Sequence, residues 1–148
     1  MILPRILSSF FVLLFLAGGA CAADFVSVAD TAAVLYDAPS LKAKKLFVAS
    51  RYLPLEQVVI LDSWVKVRDS SGSLAWIEKS ALSTKRFVVV TAAVAAMRQA
   101  PEENAAMIAQ VKQQVALEWL ENTGAGWIKV RHPDGETGYV QTAEVWGN

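Results

Sequence analysis

One cysteine and one histidine are all that this 148-residue chain offers to thiol or imidazole chemistry. A lone cysteine closes no internal disulfide. One cysteine with one histidine builds none of the usual tetrahedral zinc sites, so neither metal nor cofactor is expected. An excess of charge is lacking too: 14 Lys and Arg balance 14 Asp and Glu, which argues against a nucleic-acid partner. No Gly-rich phosphate loop and no nucleophile elbow occurs. Glu102-Glu103 and Glu118/Glu121 sit in no motif that would hold a hydrolytic carboxylate pair. His132 falls in a turn, where a solvated role suits it better than that of a catalytic base. The expectation is a chain that is not an enzyme.

An apolar run of membrane-spanning length is also missing. Residues 10–17 form a short apolar core behind Arg5, interrupted on either side by Ser8, Ser9, Gly18 and Gly19. That falls short of the roughly 20 residues a span requires. With the small-x-small run Ala20-Cys21-Ala22 it follows the plan of a cleaved secretory signal peptide, assigned to residues 1–22. A lipoprotein signal would want an aliphatic residue three positions before the cysteine, where Gly18 stands. Cleavage after Ala22 is therefore expected in preference to lipid anchoring at Cys21. The mature chain would be periplasmic or secreted, without a membrane span. It would carry no cysteine and 13 basic against 14 acidic residues.

What is present is a repeat. Residues 64–82, WVKVRDSSGSLAWIEKSAL, return as 127–145, WIKVRHPDGETGYVQTAEV. At an offset of 63, Trp64, Lys66, Val67, Arg68 and Gly72 recur as Trp127, Lys129, Val130, Arg131 and Gly135. A fixed period of this kind marks one structural unit used twice. Within each copy the alternation is period two, a strand signature. Val65, Val67, Ala75 and Ile77 take one side; Trp64, Lys66, Arg68, Leu74, Trp76 and Glu78 take the other. Gly72, and Pro133-Asp134-Gly135 in the second copy, supply the intervening turns.

Around these hairpins the sequence gives further short strands. Residues 25–30, Val34-Leu35-Tyr36, Leu46-Phe47-Val48 and 54–61 read as strands in the first unit, with Pro39 confined to a loop or an edge. Phe87-Val88-Val89-Val90 and 115–120 read likewise in the second. Ser80-Ala81-Leu82 suggests a short helical turn. Residues 102–114, rich in helix formers, suggest one or two helical turns within a loop. The front halves align ambiguously: Ala38-Pro39 meets Ala100-Pro101 at offset 62, but Thr31-Ala32-Ala33-Val34 meets Thr91-Ala92-Ala93-Val94 at offset 60. Short strands punctuated by Gly and Pro suggest small barrels. The expected architecture is all-β, with domains at 23–83 and 84–148. The linker Ser83-Thr84-Lys85-Arg86 is too short for free motion, so a packed or semi-rigid tandem is expected.

The run Ser50-Arg51-Tyr52-Leu53-Pro54-Leu55, followed by Trp64-Val65-Lys66-Val67-Arg68-Asp69, Gly72, Ala75-Trp76-Ile77 and Leu82, resembles the bacterial SH3-like domain. The second unit repeats the pattern and closes with Val145. Two positions depart from it: Ala75 replaces a glycine, and Tyr139 replaces the second Trp in the second copy. Leu35-Tyr36-Asp37 is similar to the aromatic groove motif of eukaryotic SH3 domains. With Ala38 next, and Met97-Arg98-Gln99 in the other copy, it is set aside as chance. The resemblance implies tandem SH3-like barrels and a non-catalytic, extracytoplasmic binding module. Some members of the family recognise cell-wall peptidoglycan.

The constellation suited to binding is the outward face of each hairpin. Trp64, Lys66, Arg68 and Trp76 should project together, as should Trp127, Lys129, Arg131 and Tyr139. Aromatics beside cations suit sugar or peptide stacking and cation–π contacts. The same rings could instead cap the barrels or bury the joint, because small domains need every large ring for stability. The partner expected is peptidoglycan or, alternatively, an envelope protein.

Overall fold

The computed structural model describes residues 23–29 and 31–148. The expected signal peptide and its cleavage site lie outside the described residues. The first sheet holds β1 Phe25–Val28, β2 Ala33–Tyr36, β3 Lys45–Ala49, β4 Pro54–Ile60, β5 Trp64–Arg68, β6 Leu74–Glu78 and β7 Leu82–Ser83. The second holds β8 Phe87–Val90, β9 Val94–Arg98, β10 Met107–Lys112, β11 Ala116–Asn122, β12 Trp127–Arg131, β13 Thr137–Gln141 and β14 Val145–Trp146. The order β3-β2-β6-β5-β4-β1-β7 returns as β10-β9-β13-β12-β11-β8-β14. Two tandem SH3-like units result, all-β as expected. Among the described residues helical structure is limited to 3-10 turns at Lys79–Ala81 and Thr142–Glu144. The first of these meets the turn expected near Ser80.

Alternation along the hairpins sets the cores. Val65, Val67 and Ile77 are buried in the first, with Leu35 and Leu55; Ile128, Val130 and Val140 are buried in the second, with Met97 and Leu117. Gly72 and Gly135 adopt φ of 86° and 97° at the hairpin turns, where a side chain would be strained. Asp69 fastens its turn by accepting the Ser71 and Ser73 N–H groups at 2.9 and 3.0 Å.

One expectation changes and one ambiguity closes. Residues 102–114 are not helical: a turn leads into β10, which pairs with β9 from Lys112 opposite Val94 to Met107 opposite Arg98. Backbone pairing and the burial of Val111 override local helix preference there. The front halves align at offset 62, since Phe25 and Phe87 open β1 and β8, and Leu35 and Met97 occupy the same core position. The offset becomes 63 because the connection from β11 to β12 (123–126) is one residue longer than that from β4 to β5 (61–63).

The linker is locked rather than loose. Ser83 pairs with Ser27, and the buried Ser27 hydroxyl donates to the Lys85 carbonyl at 2.7 Å. The Arg86 guanidinium lies 5.5 Å from the Phe25 ring and 5.3 Å from the Trp119 ring, and donates to Gly147 O at 2.8 Å. Phe25 meets Trp146 edge-on at 5.0 Å, and Tyr52 stacks on Phe87 at 4.6 Å. Trp rings do bury the joint, but they are Trp119 and Trp146.

Candidate functional site

Strand register explains how the candidate side chains meet. Lys66 on β5 lies opposite Trp76 on β6, which lies opposite Tyr36 on β2; on the other flank Lys66 faces Val59 of β4. Directly opposed residues point to the same side of a sheet, so Tyr36, Trp76, Lys66 and Val59 form one row across four strands. Lys66 Nζ lies 6.0 Å from the centre of the Trp76 ring, within cation–π reach. Trp64 adds an edge-on contact to Tyr36 at 5.4 Å. Tyr36 is buried, while Trp64 and Trp76 remain half-buried. The result is a partly open aromatic surface with an ammonium at its border.

Arg68 stands in the neighbouring row and is engaged by Glu56 of β4 at 2.9 Å. Arg131 is held in the equivalent way by Glu118 at 3.0 Å, and Glu118 also reaches Lys85 at 3.3 Å. These half-exposed pairs each contribute at most about 1 kcal/mol. Their consequence is orientation: both guanidiniums are turned toward the neighbouring strand.

The second face differs from the first. Its row reads Arg98, Tyr139, Lys129 and Glu121 where the first has Tyr36, Trp76, Lys66 and Val59. Trp127 is buried, unlike Trp64, so its ring offers little surface for stacking. The expectation of two equivalent faces therefore gives way to a single aromatic one. Exposed apolar residues lean the same way, although Val94 and Met107 are exposed in the second unit. Phe47, Val48, Val59, Ile60, Leu61 and Leu74 are exposed in the first unit. Ala109, Gln110, Glu121, Asn122, Thr123 and Thr137 take their places in the second.

Sequence reasoning missed Tyr36, set aside because Arg98 stands at the matching position. The signal was there in Leu35-Tyr36-Asp37, but only the β2–β6 pairing brings that ring to Trp64 and Trp76. His132 occupies the second hairpin turn, with Nδ1 2.9 Å from an Asp134 carboxylate oxygen. The Asp134 carboxyl is held below the usual aspartate range, chiefly by the Glu136 N–H donating to it at 2.9 Å and further by His132. Among the described residues no cluster of three or more His, Cys, Asp or Glu is arranged to hold a metal ion.

Comparison with known families bears on the same architecture. The family model for the bacterial SH3 domain matches twice, over residues 29–84 and 91–147. The chain belongs to the bacterial SH3 domain family. No curated protein matches it at a significant level. Among solved structures it is similar to NlpC2 from Trichomonas vaginalis, at 13% identity over 85% of this chain and 48% of that one, with a TM-score of 0.39. NlpC1 from the same organism is similar at 12% identity over 85% and 46%, with a TM-score of 0.39. An NlpC/P60 family protein from Bacillus cereus is similar at 16% identity over 82% and 55%, with a TM-score of 0.38. The chain spans about half the length of the structures it matches. Among the described residues no helix of this bacterial SH3 protein is long and apolar enough to cross a membrane.

Proposed function

We propose that this bacterial SH3 protein is an exported, non-catalytic binding module that contacts cell-wall glycan-peptide through its first domain. The observation that carries the reading is the row Tyr36–Trp76–Lys66 with Trp64 set edge-on against it. A half-buried indole beside an ammonium offers a flat apolar surface to a sugar or peptide plane, and a donor to its oxygens. Lys129 and Tyr139 repeat the geometry without the Trp, so the second domain contributes less. Export rests on the N-terminal sequence pattern, and the cell-wall ligand on what is known of the family.

A second reading is favoured by the exposed apolar residues of the first domain, which outnumber Val94 and Met107 in the second. Phe47 and Val48 lie on the edge strand β3, and Val59, Ile60 and Leu61 at the end of β4 and just beyond it. Surfaces of this kind suit an envelope protein as partner. Co-sedimentation with purified sacculi separates the two. Wild-type protein should pellet, and Trp76→Ala should reduce pelleting while the fold persists. Protein that stays in the supernatant would remove the wall-binding reading and leave the envelope-protein one.

A further inference from the structure

The joint between the domains holds a cleft of about 290 Å³ that the proposed function does not use. Both halves of the chain build it. Arg51 and Tyr52 come from the connection between β3 and β4, and Lys85 and Phe87 from the linker and β8. Glu118 and Arg131 come from β11 and β12. Tyr52 and Phe87 stack across the joint with planes 7° apart. Arg51 lies 5.3 Å from the centre of the Tyr52 ring, and Lys85 lies 5.4 Å from the centre of the Phe87 ring. Four side chains from the two domains therefore form a continuous cation–aromatic wall.

The charge of the cleft is unbalanced. Three cations, Arg51, Lys85 and Arg131, line it against one carboxylate, Glu118, which serves both Lys85 and Arg131. Asp134 stands beside it and is engaged with His132. Counting Glu118 and Asp134 against the three cations, about one positive charge is left over among these described residues. Among the described residues no carboxylate pairs with Arg51. A guanidinium lining a cleft, with no carboxylate partner among the described residues and flanked by low-dielectric ring surface, concentrates positive potential there. Its planar fork matches a carboxylate.

We infer that this cleft is a second binding site, which takes the free carboxylate of a short peptide. Arg51 grips the carboxylate, and the edges of Tyr52 and Phe87 receive the adjoining apolar atoms. Glu118 keeps Lys85 and Arg131 in place beside it. A surplus near one charge suits a monoanion better than a phosphate dianion. The volume leaves room for more than the carboxylate itself. Because the wall is shared, occupancy depends on the two domains keeping their present arrangement.

The test is a two-dimensional NMR titration of the purified protein with N-acetyl-alanyl-alanine, its C-terminal amide and inorganic phosphate. The free acid should give saturable shifts at Arg51, Lys85, Phe87, Arg131 and Gly135, with the amide at least about tenfold weaker. Arg51→Gln, whose spectrum shows that it is folded, should weaken the free acid by a similar factor. The exposed Lys42→Gln should leave binding unchanged. Absence of saturable shifts, equal binding of acid and amide, or an unaffected Arg51→Gln would each overturn the site. Phosphate binding as tightly as the acid would overturn its assignment to a carboxylate. None of these results depends on Trp76, so failure here is distinct from failure to bind sacculi.

Discussion

Tyr52 and Phe87 lie ring on ring across the joint, with centroids 4.6 Å apart and planes 7° from parallel. Tyr52 achieves this from a left-handed backbone, with φ of 67°. Gln114, at the same turn of the second domain, has φ of 68°. The conformation therefore belongs to the turn, and the aromatic side chain to the joint. Tyr52→Gly keeps the backbone relaxed while deleting the ring. It should cost on the order of 1 kcal/mol of stacking and burial, offset in part by relief of strain. Nuclear spin relaxation should then report faster, partly independent tumbling of the two domains. Tumbling identical to wild type would show that Arg86 and Trp146 suffice to lock the joint.

The two cores should respond alike to the same lesion. Val67 and Val130 occupy equivalent buried positions on β5 and β12. Truncation of either to Ala should cost on the order of 1–3 kcal/mol through lost burial and an unfilled cavity. Urea unfolding measures this. A cost near zero at either position would contradict its place in a core.

One core-facing position is filled differently in the two domains. A Cβ on Gly138 would meet Met97 Cγ at 2.6 Å and Arg98 O at 2.9 Å, whereas the first domain carries Ala75 at the matching site. Leu35 stands there in place of Met97. Gly138→Ala should destabilise by about 1–3 kcal/mol through overpacking, and Met97→Leu should recover part of that loss. Thermal unfolding of the single and double variants tests the coupling. Additive costs would count against it.

The hairpin turn at His132 should be sensitive to acid. The Asp134 carboxyl is lowered below its ordinary range, first by the Glu136 N–H and then by His132. A lowered carboxylate stabilises the folded turn above the ordinary aspartate pKa. That contribution disappears as pH falls through the folded value. An NMR titration should place the Asp134 midpoint below that of an unfolded peptide of the same sequence. A midpoint at or above the peptide value would refute the assignment.

Sacculus binding should be unequal between the domains. Trp76→Ala removes the ring nearest Lys66 and should reduce pelleting several-fold, a loss of roughly 1 kcal/mol or more. Tyr139→Ala should have a smaller effect. A larger loss from Tyr139→Ala would move the binding face to the second domain.

The repeat from Trp64 to Leu82, and its period-two alternation, already carried the fold class and the core positions Val65, Val67, Ile77, Ile128, Val130 and Val140. Burial on one face of a strand is a local property, so sequence order alone exposes it. Residues 102–114 were misread for the converse reason. Their helix preference is local too, but their strand state depends on β9, which supplies the missing hydrogen bonds. The candidate face was half legible. Trp64, Lys66, Arg68 and Trp76 follow from one hairpin, whereas Tyr36 reaches them only through the pairing of β2 with β6.

Sequence by itself determined that one strand-rich unit is used twice, which side of each hairpin is apolar, and which side carries Trp, Lys and Arg. Tertiary structure decided which aromatic rings stay accessible. It buried Trp127 while leaving Trp64 partly open, and it committed Trp119 and Trp146 to the joint. It also brought Arg51, Lys85, Glu118 and Arg131 around one cleft. The reason is separation along the chain. A strand's faces are set by neighbours two residues away, but accessibility and charge balance are set by strands and linkers tens of residues distant, which only packing brings together.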